Sequence, residues 1–143
     1  MENTIKIKGI FVDVENQKIE VKVINYCNNS YADFKKVLRC NNLSSCKRPI
    51  PFMNDVIIIH DDLGFYKEKV QPSYILHKDE EIVSMIPGNI FICGEEINII
   101  EGDKLCSLTN NEIELILTNV VELENDEKKK YAICVNINDL DVL

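Results

Sequence analysis

His60, Asp61 and Asp62 stand in a row inside VIIIHDDLGFY, residues 56–66. An imidazole and two carboxylates can ligate a divalent metal, and the same groups serve general acid–base catalysis. A hydrolytic metal centre needs three protein ligands. The second histidine, His77, lies in ILHKDEE beside Asp79, Glu80 and Glu81, so two segments together could supply them. Adjacent side chains of a strand, however, point to opposite faces, and Asp61 and Asp62 aim at one ion only if the chain bends. Asp62-Leu63-Gly64 supplies such a bend, and equally a turn in which an aspartate bonds its own backbone. Neither segment has a spaced ligand motif such as His-x-x-x-His. The turn is therefore favoured, with metal binding by the trio left open and no metal or cofactor expected.

Other catalytic templates are missing. There is no Gly-x-Ser-x-Gly elbow, phosphate loop or dinucleotide fingerprint. Cysteines stand at 27, 40, 46, 93, 106 and 134 without a Cys-x-x-Cys, which argues against a zinc ribbon or a thioredoxin-type pair. A cysteine nucleophile would have to meet His60 or His77. Cys93 and Cys134 lie in the apolar runs IFICG and YAICVNI and read as buried hydrophobes. Cys40 and Cys46, flanking NNLSS, read as the accessible pair. The expectation is a protein that is not an enzyme.

Charge carries more information. Residues 1–92 hold 12 basic and 12 acidic side chains, whereas residues 93–143 hold 4 and 12, so the net charge of −8 belongs to the last third. Glu95, Glu96, Glu101, Asp103, Glu112, Glu114, Glu122, Glu124, Asp126 and Glu127 form a candidate partner-binding set, which attracts cationic partners and repels nucleic-acid phosphates. Direct nucleic-acid binding is disfavoured by the pI near 4.8. Within residues 28–50, Lys35, Lys36, Arg39, Lys47 and Arg48 face only Asp33. They form an alternative ligand-binding set for the phosphates of a nucleotide.

The elements that must place these groups are readable from periodicity. IKIKGIFVDVE and QKIEVKVINY alternate apolar with polar residues around ENQK, the pattern of an antiparallel hairpin. NSYADFKKVLRC predicts a helix capped by Ser30, with Tyr31, Phe34, Val37 and Leu38 on the buried stripe and the cations opposite. DVIIIHDD, EIVSMI and NIFICGE read as strands, the last two separated by a Pro87-Gly88-Asn89 turn. EINIIEGDKLCS predicts a hairpin around residues 101–103. SLTNNEIELILTNV predicts a second helix, with Thr109 and Glu112 as a capping box and Ile113, Ile116, Leu117 and Val120 inward. NVVELE and YAICVNI close the chain as a strand pair. The expected architecture is α+β, a largely antiparallel sheet with two helices in a single compact domain spanning residues 1–143. No apolar run approaches the ~18 residues of a membrane span. MENTIKIKGIF lacks the pattern of a secretion signal, so cytoplasmic residence is expected.

DFKKVLRCNNLSSCKRPI, NDVIIIHDDLGFYKEK, IPGNIFICGE and KLCSLTNNEIELI together resemble a domain-of-unknown-function family of small proteins from phages and conjugative elements, chiefly of low-GC bacteria. The family pattern is a helix ending Leu-x-Cys, an Asp-Asp-x-Gly turn, Gly-Asn-φ-φ-Ile (φ apolar) and a Ser-Leu-Thr-capped helix. It falls on Leu38 with Cys40, Asp61 with Gly64, Gly88 with Ile92, and Ser107 with Thr109. The resemblance covers about residues 31–117. It departs at SSCKRPIPFMN, and residues 118–143 hold an extra closing strand pair. It implies a non-enzymatic accessory protein that binds and inhibits a host defence component, in the manner of an anti-CRISPR. The partner would be a host protein or nucleoprotein effector such as a nucleic-acid-guided nuclease. The alternative is a sponge for a nucleotide immune signal, a homo-oligomer being one way to build its site. No membrane partner is expected.

Overall fold

The computed structural model describes residues 4–27, 30–50, 53, 55–63, 71–96, 100, 104–119, 121–124 and 130–138. In chain order the elements are β1 (Thr4–Asp13), β2 (Lys18–Cys27), α1 (Ala32–Leu38), β3 (Leu43–Cys46), β4 (Val56–Asp61), β5 (Pro72–Lys78), β6 (Glu81–Pro87), β7 (Ile90–Glu96), β8 (Lys104–Cys106), α2 (Asn110–Asn119), β9 (Val121–Glu124) and β10 (Lys130–Asn136). The α+β architecture with largely antiparallel pairing is as expected.

The strands form two sheets. The larger runs β2-β1-β7-β4-β3 with β8 alongside β7, and the smaller runs β6-β5-β10-β9. The opening hairpin pairs along its full length, from Thr4 with Cys27 to Asp13 with Lys18. β9 and β10 form the expected antiparallel pair, but β10 also lies parallel to β5. The turn at Gly88, φ 84°, does not close a hairpin: β6 and β7, on either side of it, belong to different sheets.

Alternation along the larger sheet sends two sets of side chains to its two faces. Ile10, Val12, Val56, Ile58, Ile90 and Ile92 pack with Tyr74, Ile86, Ile133 and Val135 of the smaller sheet and with Ile113 and Ile116 of α2. Ile7, Phe11, Ile57, Ile59, Phe91 and Cys93 pack instead with Phe34 and Leu38 of α1. A strand covered on both sides needs a continuous apolar run, which is why VIIIHD is buried throughout. Phe91 crosses β1 at Gly9, where a Cβ would lie 2.7 Å from the ring and 2.2 Å from the Ile92 carbonyl oxygen.

Both helices form where periodicity predicts, with differences at α1. Residue 31, not Ser30, takes the cap position, with no side-chain cap bond. Ser30 Oγ accepts a long 3.4 Å contact from the Ala32 N–H. Tyr31 is 41% exposed rather than buried with Phe34, and Leu117 is likewise exposed on α2. The second helix has its reciprocal cap: Glu112 N–H donates to Thr109 Oγ1 at 3.1 Å, and Thr109 N–H donates to Glu112 Oε1 at 2.8 Å. Its approach is pinned to β1 by Leu108 N–H on the Lys8 carbonyl and by Lys8 N–H on Ser107 Oγ, each 2.8 Å. β3 and β5 were not anticipated. LSSC is too short to show a period, and in PSYILHK only Ser73 and Tyr74 are fully buried.

Candidate functional site

The histidine corner is a turn. Asp61 Oδ1 accepts the Leu63 N–H at 2.9 Å, the local aspartate bond that the residue types allow, and Asp62 N–H donates to the Asn42 carbonyl at 2.8 Å. His60 is buried at the end of β4, its Nδ1 3.1 Å from the Asp61 carbonyl oxygen. His77 sits on β5 in the other sheet, its Nδ1 2.9 Å from the Asp79 carbonyl oxygen. Among the described residues no group of three or more His, Cys, Asp or Glu could hold a metal ion.

The basic set is divided by the fold. Arg39 ends α1 in the left-handed region, φ 59° and ψ 48°, a conformation usually left to glycine. Its guanidinium turns back onto β1, donating from Nη1 to Asp13 Oδ1 at 3.1 Å and from Nη2 to Asp13 Oδ2 at 2.9 Å. The Asp13 side chain is 1% exposed and also accepts both N–H donors of Asn16, backbone and side chain. Burial would raise this carboxyl, but the bonds from Arg39 and Asn16 outweigh it and hold it at about 2. Asn89 completes the network by accepting the Val14 N–H and donating to Glu15 Oε1 and the Leu38 carbonyl. Arg39 is therefore committed to structure. Lys35 and Lys36 line a shallow open depression with Arg39 and Cys40, while Lys47 and Arg48 are not among its lining residues.

The acidic set is partly gathered. Glu95 and Glu96 end β7, next to β8 and Cys106, and Glu112 begins α2. Burial raises the Cys106 thiol, and the fields of Glu96, Glu112, Asp55 and Glu95 raise it further. Asp55, held to this corner through its carbonyl by the Glu95 N–H at 3.0 Å, was missed because it precedes the acidic third of the chain. Glu114 is exposed on α2. The backbone of β9 carries Glu122 and Glu124. Glu101, Asp103, Asp126 and Glu127 lie outside the described residues.

Beside this corner opens a pocket of about 330 Å³. Ile57 and Ile59 of β4, Leu43 of β3 and Leu105 of β8 give it apolar walls, with Tyr26, Tyr31, Ser44, Ser45 and Glu95 as the polar lining. The tyrosine rings are 5.2 Å apart and tilted at 58°. Burial, and then Tyr31, push the Tyr26 phenol up to about 12, so it stays neutral. Glu95 is 11% exposed at the side chain, and Lys47 Nζ approaches its Oε1 at 2.8 Å from a rim position, 52% exposed. Among the described residues that sheltered oxygen has no partner besides this ammonium. No periodicity marks this pocket, since its lining comes from six separated segments.

Cys46 and Cys93 are poor nucleophiles. Burial raises Cys46 and takes Cys93 to about 12, disfavouring the reactive thiolate. Cys93 and Cys134 are buried as expected, and Cys40 and Cys46 are half-buried. Comparison with protein-family models, curated proteins and solved structures finds no match.

Proposed function

We propose that this chain is a non-enzymatic binding protein whose acidic flank engages a cationic partner, and that it belongs to the accessory proteins by which phages and mobile elements inhibit a host defence component. The observation that carries this reading is the placement of Glu95 and Glu96 together at the end of β7 beside β8, with Asp55 joined to Glu95 through the backbone. Clustered carboxylates steer a positively charged groove, such as the nucleic-acid channel of a guided nuclease, and make association dependent on salt. The alternative, sequestration of a nucleotide signal, asks Arg39 and Lys47 to meet phosphates although both already face carboxylates.

The test is phage plating on a host carrying a defence system that this chain silences. The variant combining Asp55→Lys, Glu96→Lys and Glu114→Lys leaves the helix cap and the pocket intact, and should abolish protection while melting like the parent. Binding of the effector should fall about tenfold or more between about 0.05 and 0.5 M salt. Full protection by the variant, or affinity indifferent to salt, would refute the acidic-flank reading. A large thermal stabilisation by a cyclic nucleotide would favour the sponge.

A further inference from the structure

We infer that the tyrosine pocket is the socket for an arginine side chain of the cationic partner, a proposal that rests on the acidic-flank reading and names the group the flank receives. Three features of the pocket select a guanidinium. Tyr26 and Tyr31 present their rings about a shared cavity, and a guanidinium stacks on such faces as an ammonium does not. Glu95 offers a sheltered carboxylate met at Oε1 by the Lys47 ammonium, and the planar fork of arginine matches a carboxylate with two bonds where an ammonium makes one. Ile57, Ile59 and Leu105 then cover the aliphatic stem.

Lys47 does not occupy the socket. Its ammonium reaches Glu95 from the rim while remaining half exposed, so water screens the lysine side of the pair. An entering guanidinium displaces or shares this contact at small cost. Glu96, next to Glu95 on β7, and Asp55, joined to Glu95 through the backbone, add negative charge beside the pocket, favouring a cation over a nucleobase that brings phosphates with it.

The experiment titrates the full chain with Nα-acetyl-arginine amide, its lysine and norleucine counterparts, and AMP, following tyrosine ring resonances by NMR. The arginine amide should shift these resonances saturably and bind about fivefold or more tighter than the lysine or norleucine compound. Tyr31→Ala and Glu95→Gln should each weaken it about tenfold, with thermal melting confirming that both variants fold. Because Tyr31 is largely exposed, its variant keeps the test decisive if Glu95→Gln fails to fold. Equal binding of the norleucine amide, tighter binding of AMP, or no shift with any compound would overturn the socket. The plating assay separates this proposal from the one beneath it. If the lysine-substituted flank loses protection while Tyr31→Ala retains it, the socket is wrong and the flank stands. If that flank variant keeps protection and the arginine amide still binds, the flank is wrong and the socket stands.

Discussion

Two ion pairs, Arg39 with Asp13 and Lys47 with Glu95, join the same kinds of charge and serve opposite ends. The first is a bidentate fork onto a carboxylate with almost no exposure, backed by Asn16 and tied through Glu15 to Asn89. The second is one ammonium contact at a pocket mouth, onto an oxygen with no further partner among the described residues. A charge whose hydrogen-bonding capacity is filled inside the fold has little left for a partner, whereas a half-satisfied one does. Counting basic and acidic residues treats these pairs alike; their geometry separates them.

The comparison breaks first at Arg39. Arg39→Ala strands a buried carboxylate and should cost about 3 kcal/mol in urea unfolding; a loss under ~1 kcal/mol would make this pair no more structural than the other. Arg39→Lys should recover only part, because an ammonium cannot reproduce the fork. Acid sharpens the same contrast. Asp13 is depressed from 3.8 to about 2, so its contribution is complete above about pH 4 and disappears as pH falls through 2. At roughly 1.4 kcal/mol per pKa unit this amounts to about 2 kcal/mol, read as a declining urea midpoint that Asp13→Asn should flatten over the same window.

Glu112 stands between the two cases, since it contributes charge to the flank while closing the α2 cap. Thr109→Ala should cost about 1 kcal/mol of stability and leave partner binding unchanged, which thermal melting and the plating assay measure together. The smallest effect belongs to Lys47. Lys47→Met should cost less than about 1 kcal/mol, since the lysine is half exposed although Glu95 is sheltered, and a double-mutant cycle with Glu95→Gln should give a coupling under ~1 kcal/mol. The equivalent cycle for Arg39 and Asp13 should give several times that value.

What could be read without coordinates was whatever depends on near neighbours. The ten-residue hairpin, the Thr109–Glu112 box and the buried run of β4 follow from alternation, capping chemistry and β-branching, each acting over a few residues. The aspartate turn at Asp61 was legible for the same reason, its bond spanning two positions. The acidic bias of the last third is likewise a property of composition.

The tertiary fold settled everything that joins distant segments. Alternation assigns a residue to a face without saying what covers it, so the split into two sheets and the parallel contact of β5 with β10 were invisible. Arg39 was placed among available cations because its partner lies 26 residues away, and Asn89 joins the network across 75. Tyr31 was assigned to the core by helical spacing, but it sits at the start of a seven-residue helix and turns to Tyr26. The pocket and its half-satisfied carboxylate exist only after β3, β4 and β8 are brought beside α1. Chain order encodes which side chains can bond, whereas packing determines which of them have already done so.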